Sequence, residues 1–270
     1  MKTLLICHHD EPLNRVGVAR WLGSFSDLVG IVEIREPARR LRLRIQREIR
    51  RVGPLRFLDV LAFRLFQRLL LAAKDRAWQA RALERLCAAY PPLRPQTPVL
   101  TTSSPNSSEA TAFIRRLGPD LALARCKSLL RKEVFTLPAA GTFVLHPGIC
   151  PEYRNAHGCF WALANGDIDK VGATLLRIDE GIDTGPVYGY FSYAYDEVTE
   201  SSFVIHNRVV LDNLDAIRYR LIDVFEGRAI PLDTAQRASA EWGQPWLTKH
   251  LRWKQRARRR RRESACPAVS

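Results

Sequence analysis

The chain has 270 residues, 46% of them hydrophobic, and a formal net charge of +14 at pH 7. This length suits one large domain or one domain with extensions, and the apolar content excludes an intrinsically disordered chain. The charge predicts an anionic partner, such as a phosphorylated substrate, nucleic acid or an acidic membrane surface. Much of the excess lies in residues 39–68 and in the arginine run 256–262, away from the middle of the chain.

The six cysteines form no CxxC pair and show no zinc-ligand spacing, so no metal site is predicted. The apolar run at the start of the chain is too short for a signal peptide, and no stretch reaches the roughly 20 apolar residues of a membrane span. Unpaired thiols without a leader segment are typical of a reducing compartment. The sequence therefore predicts a cytoplasmic protein.

Short β-like runs alternate with helical patterns along the chain. The predicted strands are 3–7, 28–34, 98–102, 121–124, 142–146, 173–178 and 187–195. The intervening patterns predict helices at 14–22, before Gly118 and before Gly166, and one long helix from Thr199 or Ser201 to near Gly227. Strands that alternate with helices indicate an α/β fold with a doubly wound, mostly parallel, Rossmann-like sheet.

Two basic segments flank this pattern. Residues 37–95 interrupt the strand order and are interpreted as a helical insertion in a catalytic domain spanning 1–230. Residues 231–270 are interpreted as a tryptophan-containing extension and an arginine-rich tail, predicted to be disordered until it meets an anion such as RNA or an acidic membrane. Within the insertion, residues 57–73 predict an amphipathic helix that packs on its own domain or lies on a membrane or partner.

Polar residues follow the first predicted strand. His8, His9 and Asp10 stand at its carboxyl end, where open α/β sheets bind ligands. The turn has neither the GxGxxG pattern of dinucleotide sites nor the GxxxxGK pattern of phosphate loops. The three residues are interpreted either as contacts to a substrate or as ordinary loop residues.

A histidine ends the strand at 142–146 and a stiff loop follows it. His146 precedes Pro147, Gly148 and Pro151, which restrict the backbone and stop the strand. Fixed backbone N–H groups of this kind can bind the polar edge of a ligand, as preorganised catalysis requires. His146 is therefore a candidate catalytic residue, with a purely structural role as the alternative.

Two acids lie in a glycine-interrupted loop between the predicted strands at 173–178 and 187–195. Asp179 and Asp183 either bond their own backbone or face a neighbouring loop. An aspartate beside His146 would favour the imidazolium form and orient the ring. Such a pair can do acid–base work on an acyl group.

The segment from His146 to Val187 resembles the folate-dependent formyltransferases, which include glycinamide ribonucleotide, methionyl-tRNA and sugar N-formyltransferases. The resemblance extends over roughly 119–210, with an ordered set of matching motifs. The matching positions are His146, Pro151, Tyr153, Arg154, the turn 165–167 and the segment 183–186. It implies a sheet of formyltransferase type and transfer of a formyl group from 10-formyltetrahydrofolate to an amine.

The resemblance also implies residue roles. His146 would stabilise the oxyanion of the tetrahedral intermediate and assist proton transfer, and Asp183 would hold the charge on His146 and position a water. The implied folate-binding residues are Cys126, Ile149, Cys150, Pro151, Asp179 and Gly181. The candidate substrate-binding residues are His8, His9, Asp10, Tyr153 and Arg154.

The sequence departs from the family pattern at one important position. The family has an asparagine two residues before its histidine, where this chain has Val144, which cannot donate a hydrogen bond. Loss of one oxyanion donor typically costs roughly 2.7–4 kcal/mol in the transition state. Asn155 or His157 could replace that donor. The family serine is likewise replaced, by Gly148.

Three functional hypotheses follow. The first is an enzyme that formylates a small, anionic amine such as an amino-sugar nucleotide. The second is a catalytically impaired folate- or metabolite-binding protein, which the substitution at Val144 supports. The third is an accessory protein that associates with a membrane or nucleic acid through its basic segments.

Overall fold

The computed structural model describes residues 1–265 and shows a central seven-stranded sheet. The strands of the chain are β1 (Lys2–His8), β2 (Asp27–Ile34), β3 (Val99–Thr102), β4 (Leu121–Arg125), β5 (Gly141–His146), β6 (Arg154–Asn155), β7 (Ala173–Arg177), β8 (Val187–Phe191) and β9 (Glu241–Trp242). The large sheet has the order β3-β2-β1-β4-β5-β7-β8, and β6 pairs with β9 in a separate two-stranded sheet. The first five strands of the large sheet are parallel to one another, β7 runs antiparallel to β5, and β8 runs antiparallel to β7 and so in the direction of the first five. The predicted α/β fold with a mostly parallel sheet is confirmed.

Helices fill the connections between the strands. They are α1 (Ala19–Phe25), α2 (Ala38–Val52), α3 (Pro54–Phe66), α4 (Ala72–Ala89), α5 (Ser108–Leu117), α6 (Lys132–Phe135), α7 (Gly158–Asn165), α8 (Ser202–Leu211), α9 (Leu214–Phe225) and α10 (Leu247–Ala265). A π-helical stretch, Leu13–Val18, leads into α1, and another, Gln67–Leu71, joins α3 to α4. Residues 38–89 therefore form a helical insertion between β2 and β3.

The predicted long helix before Gly227 is in fact two helices, α8 and α9. The Ser201 side chain caps α8 by accepting a hydrogen bond from the Val204 N–H. At the break, the Asn213 amide donates to the carbonyl oxygens of Val209 and Ser192. Asparagine competes in this way for backbone groups that would otherwise continue a helix, and the chain turns there.

Apolar residues cover both faces of the sheet. Leu5 and Cys7 of β1 pack against one helical layer, while Leu4 and Ile6 point to the other face, which α5 and α6 cover. This alternation follows from the period of two along a strand. Both faces are therefore buried, as a parallel sheet requires.

The arginine-rich segment is not disordered as predicted: residues 247–265 form α10. Its apolar residues recur at helical spacing, so that Trp253 and Ala257 enter the same core as β1 and α3 while most of the arginines remain outside. Burial of that stripe offsets the charge repulsion along the outer face. The last part of the predicted tail, 266–270, lies outside the described residues. The boundary at residue 230 remains a prediction.

The strand order reverses between β1 and β4. In open α/β sheets, ligands bind at such a switch point, outside the carboxyl ends of the strands. The strands β1, β4 and β5 end there with His8, Arg125 and His146. This edge of the sheet is where a functional site is expected.

Candidate active site

The His146 ring is held between two acceptors. Its Nδ1 lies 3.3 Å from Asp183 Oδ2, and its Nε2 lies 2.8 Å from the Tyr153 carbonyl oxygen. A carbonyl oxygen only accepts, so Nε2 carries a proton and donates it to Tyr153. The imidazolium form satisfies both contacts, because Nδ1 then also faces its carboxylate partner as a donor. The structure thus brings together the two residues that the sequence singled out as catalytic.

Asp183 is fixed by the loop that follows His146. Its Oδ2 accepts a hydrogen bond from the Asn155 N–H at 2.8 Å. The neighbouring Arg154 guanidinium donates to the Ile182 carbonyl oxygen at 2.7 Å. Two consecutive residues therefore fasten the aspartate loop to the histidine loop.

Backbone strain is concentrated at this junction. Within residues 1–265, the non-glycine residues with a left-handed backbone are Asn155 (φ 72°), His157 (φ 58°) and Asp183 (φ 52°). Each such conformation is disfavoured for a residue with a Cβ, although asparagine and aspartate tolerate it best. Strain held by surrounding contacts is typical of functional sites.

Gly148 allows the ring to sit close to the backbone. A Cβ at this position would lie 2.7 Å from His146 Nε2 and 2.6 Å from the Tyr153 carbonyl oxygen. Both distances are too short for non-bonded atoms. Glycine at 148 is therefore required by the hydrogen bond between the ring and Tyr153.

Strand β7 braces the same loop from below. Thr174, opposite His146 in the antiparallel pairing, donates to the Gly148 carbonyl oxygen at 2.6 Å and accepts from the Cys150 N–H at 3.0 Å. The Tyr190 hydroxyl of β8 donates to the Cys150 carbonyl oxygen at 2.7 Å. Cys150 is buried with both backbone groups bonded inside the protein, and its neighbour Ile149 is buried too.

Asp179 and Gly181, two more of the predicted folate-binding residues, lie in a second loop, whereas Pro151 and Cys126 lie outside it. Asp179 Oδ1 accepts from the Gly181 N–H at 3.0 Å and from the Thr184 hydroxyl at 2.7 Å, so it shapes its own loop. Asp179 also lines a cavity of about 320 Å³ with Lys132 and Arg177. Pro151 is half-buried. The Cys126 thiol, whose pKa burial raises to about 12, donates to the Ser128 carbonyl oxygen and does not line this cavity.

The predicted substrate residues after β1 line a cavity of about 350 Å³. Its lining residues are His8, His9, Asp10, Ile34, Arg35, Glu36 and Lys127. His8 Nε2 accepts the Lys127 N–H at 2.9 Å, and burial lowers the pKa of this histidine. His9 Nδ1 lies 2.6 Å from Glu33, and its Nε2 accepts from Arg35 at 2.9 Å. Both rings are therefore oriented by the protein.

Tyr153 and Arg154, the other predicted substrate residues, bond within the protein. The Tyr153 side chain is buried; its hydroxyl donates to Asp167 and its ring stacks on Trp242. Arg154 donates to Ser239 at 2.9 Å in addition to Ile182. These contacts join the extension after residue 230 to the candidate site.

The two proposed replacements for the missing donor differ in their surroundings. The Asn155 side-chain amide donates two hydrogen bonds, to Glu241 Oε1 at 2.9 Å and to the Trp242 carbonyl oxygen at 2.8 Å. The His157 ring lies 6.3 Å from that of His206, and its side chain hydrogen-bonds Gln244. Val144 contributes to an apolar cluster with Cys150 and others. The side-chain contacts of Asn155 therefore leave it no free donor.

Arg125 and its partners add positive charge to the same edge. The buried Arg125 guanidinium donates to Asn14 Oδ1 at 3.1 Å and to the Leu145 carbonyl oxygen. Glu11 receives the Lys127 ammonium at 2.6 Å; burial opposes ionisation, but Lys127 still lowers the pKa of this carboxyl group. Burial, together with His157 and Arg125, lowers the pKa of His206. The positive charge at this edge therefore comes from Arg125 and Lys127 and not from the buried histidines.

A histidine and a carboxylate at the carboxyl edge of a Rossmann-like sheet can serve acyl transfer without a covalent intermediate. Residues 69–210 match the family model for "Formyl transferase". The chain belongs to the formyl transferase family. The match covers β3, β4, β5, β7 and β8 and thus the strands that carry His146 and frame Asp183.

Curated relatives of this chain include methionyl-tRNA formyltransferases, of which two are described. The one from Caldanaerobacter subterraneus subsp. tengcongensis is 29% identical over 153 residues, which are 55% of this chain and 48% of that protein. The one from Mycolicibacterium gilvum is 42% identical over 93 residues, which are 34% of this chain and 30% of that protein. The chain thus spans less than half of the length of these two relatives.

Solved structures share the fold at low sequence identity. A sugar N-formyltransferase from Shewanella sp FDAARGOS_354 gives a TM-score of 0.53 at 15% identity, covering 90% of this chain and 77% of that one. A phosphoribosylglycinamide formyltransferase from Anaplasma phagocytophilum gives 0.53 at 10% identity, covering 90% and 99%. Both similarities concern the fold alone.

Sequence reasoning missed part of this candidate site. Arg125, Asn14, Glu11 and His206 carry no motif of their own. The sequence contained one indication of Arg125. This arginine directly follows the apolar strand LALA, so it is expected to be buried with that strand. An arginine there needs partners, and those partners come from the turn after β1.

Proposed function

We propose that this chain transfers a formyl group from 10-formyltetrahydrofolate to the amine of a small anionic acceptor, such as an amino-sugar nucleotide. The observation that carries the proposal is the His146–Asp183 pair, held at 3.3 Å where the sheet edge binds ligands. Family membership supports the formyl group as the group transferred. The specific donor and acceptor are part of the proposal.

The proposed reaction needs no bond between protein and substrate. The acceptor nitrogen attacks the formyl carbon, and the bond from that carbon to the folate nitrogen breaks. The imidazolium of His146 stabilises the oxyanion through Nδ1, whose contact with Asp183 is longer than the Nε2 bond to Tyr153 and is the one that substrate can share. The proton lost by the amine passes to Asp183 or a water and returns to the folate nitrogen.

Basic residues at the sheet edge offer contacts for an anionic acceptor. Arg125, Lys127 and Arg35 lie at the carboxyl edge, and the last two line the cavity behind His8 and His9 together with the acids Asp10 and Glu36. A phosphate or carboxylate there would meet donors already oriented by the protein. A sugar N-formyltransferase is among the proteins that share this fold.

A catalytically impaired binding protein is the second candidate. Val144 supplies no hydrogen-bond donor, and the Asn155 amide is fully engaged elsewhere. If no other group stabilises the oxyanion, the protein binds folate and an amine but turns them over slowly. The same site then acts in binding.

The deciding experiment measures binding and turnover separately. A stable analogue of 10-formyltetrahydrofolate is titrated by calorimetry, and formylation of UDP-linked 4-amino sugars is followed by mass spectrometry. Product from the wild type, lost in His146→Ala, supports the enzyme. Binding without product supports the second candidate, and absence of folate binding at millimolar ligand contradicts both.

A Val144→Asn variant sharpens this test. If the missing donor limits the rate, the variant gains on the order of 10²–10³ in kcat, the range that one oxyanion donor provides. An unchanged rate would mean that another group already serves the oxyanion. A Val99→Asn variant, at a half-exposed strand position far from His146 in the sheet order, is the matched control.

A further inference from the structure

Helix α3 carries an exposed row of leucines on its outer side. Leu55, Leu58, Leu61, Leu65 and Leu69 are 82%, 61%, 42%, 57% and 69% exposed. Their spacing of three and four residues places them on one side of the helix and of the π-helical stretch that follows it. We call these five residues the leucine stripe.

The opposite side of the same helix is buried. Phe57, Val60 and Phe63 pack into the protein, so the insertion helix already has the apolar contact that anchors it. A surface helix normally turns polar residues outward. Here both sides are apolar, and the leucine stripe contributes nothing to the core.

Exposed apolar side chains are concentrated in this segment. Among the described residues, six of the fifteen large hydrophobic side chains that are exposed lie between Leu55 and Leu70. Scattered exposed leucines are ordinary, but a contiguous group on a charged protein marks an interaction surface.

The surroundings of the stripe are basic, and the nearby acids already have partners. Glu48 pairs with Arg51 at 2.7 Å, and Asp59 accepts the Thr248 N–H at 3.0 Å. Asp75 is buried and accepts from Ser201 at 2.6 Å. The exposed basic residues on α2, α3, α4 and their connection include Arg47, Arg50, Arg56, Arg68, Lys74 and Arg76.

Helix α10 extends this basic surface. It packs on α3 through the Asp59–Thr248 bond and through His250, whose ring lies 5.4 Å from that of Phe63. Its exposed residues include Leu251, Arg252, Arg258 and Arg259. Leucine and arginine thus occur together on two adjoining helices.

We propose that the leucine stripe and the arginines around it bind the surface of a membrane containing anionic phospholipids, with α3 lying in the plane of the interface. The leucines enter the acyl boundary, while arginine heads remain among the lipid phosphates. Basic residues near an anionic leaflet strengthen such binding. Within residues 1–265, no helix is long and apolar enough to cross a bilayer, so the contact is peripheral.

Charge selects the membrane over a second copy of this chain. A two-fold contact through the stripe would place the arginines of one copy against those of the other. Like charges facing each other disfavour such a dimer. Nucleic acid would satisfy the arginines but leave the leucines exposed. The proposal does not depend on the proposed catalytic function.

The test is co-sedimentation of the full chain with vesicles. Vesicles of phosphatidylcholine containing phosphatidylglycerol are compared with pure phosphatidylcholine, at about 0.1 M and about 1 M salt. The wild type binds the anionic vesicles at low salt and binds the neutral vesicles weakly. The Leu58→Gln/Leu65→Gln/Leu69→Gln variant loses affinity about tenfold or more.

Matched variants make the result specific. Tyr219→Gln/Ile230→Gln changes two exposed apolar residues elsewhere and retains wild-type binding. Arg68→Gln weakens binding at low salt and reduces its salt dependence. Thermal unfolding confirms that each variant is folded, which the exposure of the changed side chains leads us to expect.

Three outcomes overturn the proposal. One is absence of wild-type binding to anionic vesicles at low salt. Another is vesicle binding that the leucine variant leaves unchanged, which would assign the contact to charge alone, as for RNA. The third is a dimer, seen by light scattering, that the leucine variant dissociates and that does not bind vesicles.

Discussion

At the scale of single residues, the His146 ring is positioned by groups that come from two separate stretches of chain, the loop after His146 and the loop that carries Asp183. Tyr153 fixes Nε2, Asp183 faces Nδ1, and Asn155 holds the aspartate through its backbone N–H. The left-handed backbone of Asp183 and Asn155 is disfavoured by roughly 1–2 kcal/mol per residue for most side chains. Contacts that maintain such strain point to a site in which orientation matters.

Asp183→Asn tests that orientation. The amide still accepts the Asn155 N–H but no longer carries the charge that faces Nδ1, so kcat is expected to fall about 10²-fold or more. Steady-state kinetics measures the loss, and urea denaturation shows whether stability is retained. Glu180→Gln is the matched control, because this exposed carboxylate in the same loop pairs with Lys132. Equal losses in the two variants would contradict a specific role for Asp183.

The sequence could identify His146 and Asp183 because each ends or follows a recognisable strand. The sequence could not show that the Asn155 side-chain amide donates hydrogen bonds to Glu241 and Trp242. Nor could it show that the Tyr153 ring stacks on Trp242. Those contacts join segments remote in sequence, and no local pattern encodes them.

At the scale of elements, strand β7 determines the shape of the loop that follows His146. Its antiparallel pairing with β5 places Thr174 opposite His146, under the turn formed by Gly148 and Cys150. One hydroxyl therefore holds two backbone groups of the loop. Antiparallel pairing was not predicted, since period and length alone do not distinguish the direction of a buried strand.

Thr174→Val removes that hydroxyl while retaining the shape of the side chain. The Gly148 carbonyl and Cys150 N–H lose a buried partner, so the free energy of unfolding is expected to fall by about 1–3 kcal/mol. The loop that carries Tyr153 also loosens, and kcat/KM falls. Thr142→Val, which removes a buried bond to the Phe135 carbonyl oxygen, is expected to cost stability with kcat/KM retained. Urea denaturation measures the stability of both variants and steady-state kinetics their activity. A kcat/KM that is retained in Thr174→Val would contradict a role of Thr174 in holding the loop.

The contact between α3 and α10 contains a buried histidine. His250 lies among the rings of Phe63, Phe66 and Trp253, and burial lowers its pKa to about 4, with Lys254 adding to the effect. The unfolded chain binds a proton near pH 6.5, whereas the folded chain does so only near pH 4. Its contribution to stability is therefore complete above about pH 6.5 and is lost as the pH falls toward 4, by at most about 1.4 kcal/mol per unit.

His250→Phe is expected to flatten this dependence. The free energy of unfolding, measured by urea denaturation between about pH 5 and pH 7, falls less steeply in the variant than in the wild type. Other buried histidines contribute in both proteins, so the difference between the two slopes isolates His250. Identical slopes would show that its protonation is not coupled to folding.

At the scale of the whole molecule, α10 shows that a run of like charges does not by itself predict disorder. The strands and the α/β class followed from apolar periodicity, which long-range contacts reinforce. The arginine run was predicted to be disordered but forms a helix. The helix is stabilised because Trp253 and Ala257 pack into a core that only the folded chain provides. The basic residues behind the net charge of +14 therefore lie on ordered helices as well as around the candidate site.

This charge distribution predicts a salt effect on substrate binding. If the acceptor is anionic, cations at the sheet edge attract it over a distance set by the Debye length, about 10 Å at 0.1 M salt and about 3 Å at 1 M. The KM for a phosphate-bearing acceptor is then expected to rise several-fold across that range, while kcat changes little. Arg35→Gln, which removes a cation from the cavity lining, reduces the salt dependence, whereas Arg228→Gln, whose residue pairs with Asp223, does not. A KM that does not change with salt would contradict an anionic acceptor. The basic surface would then serve other partners.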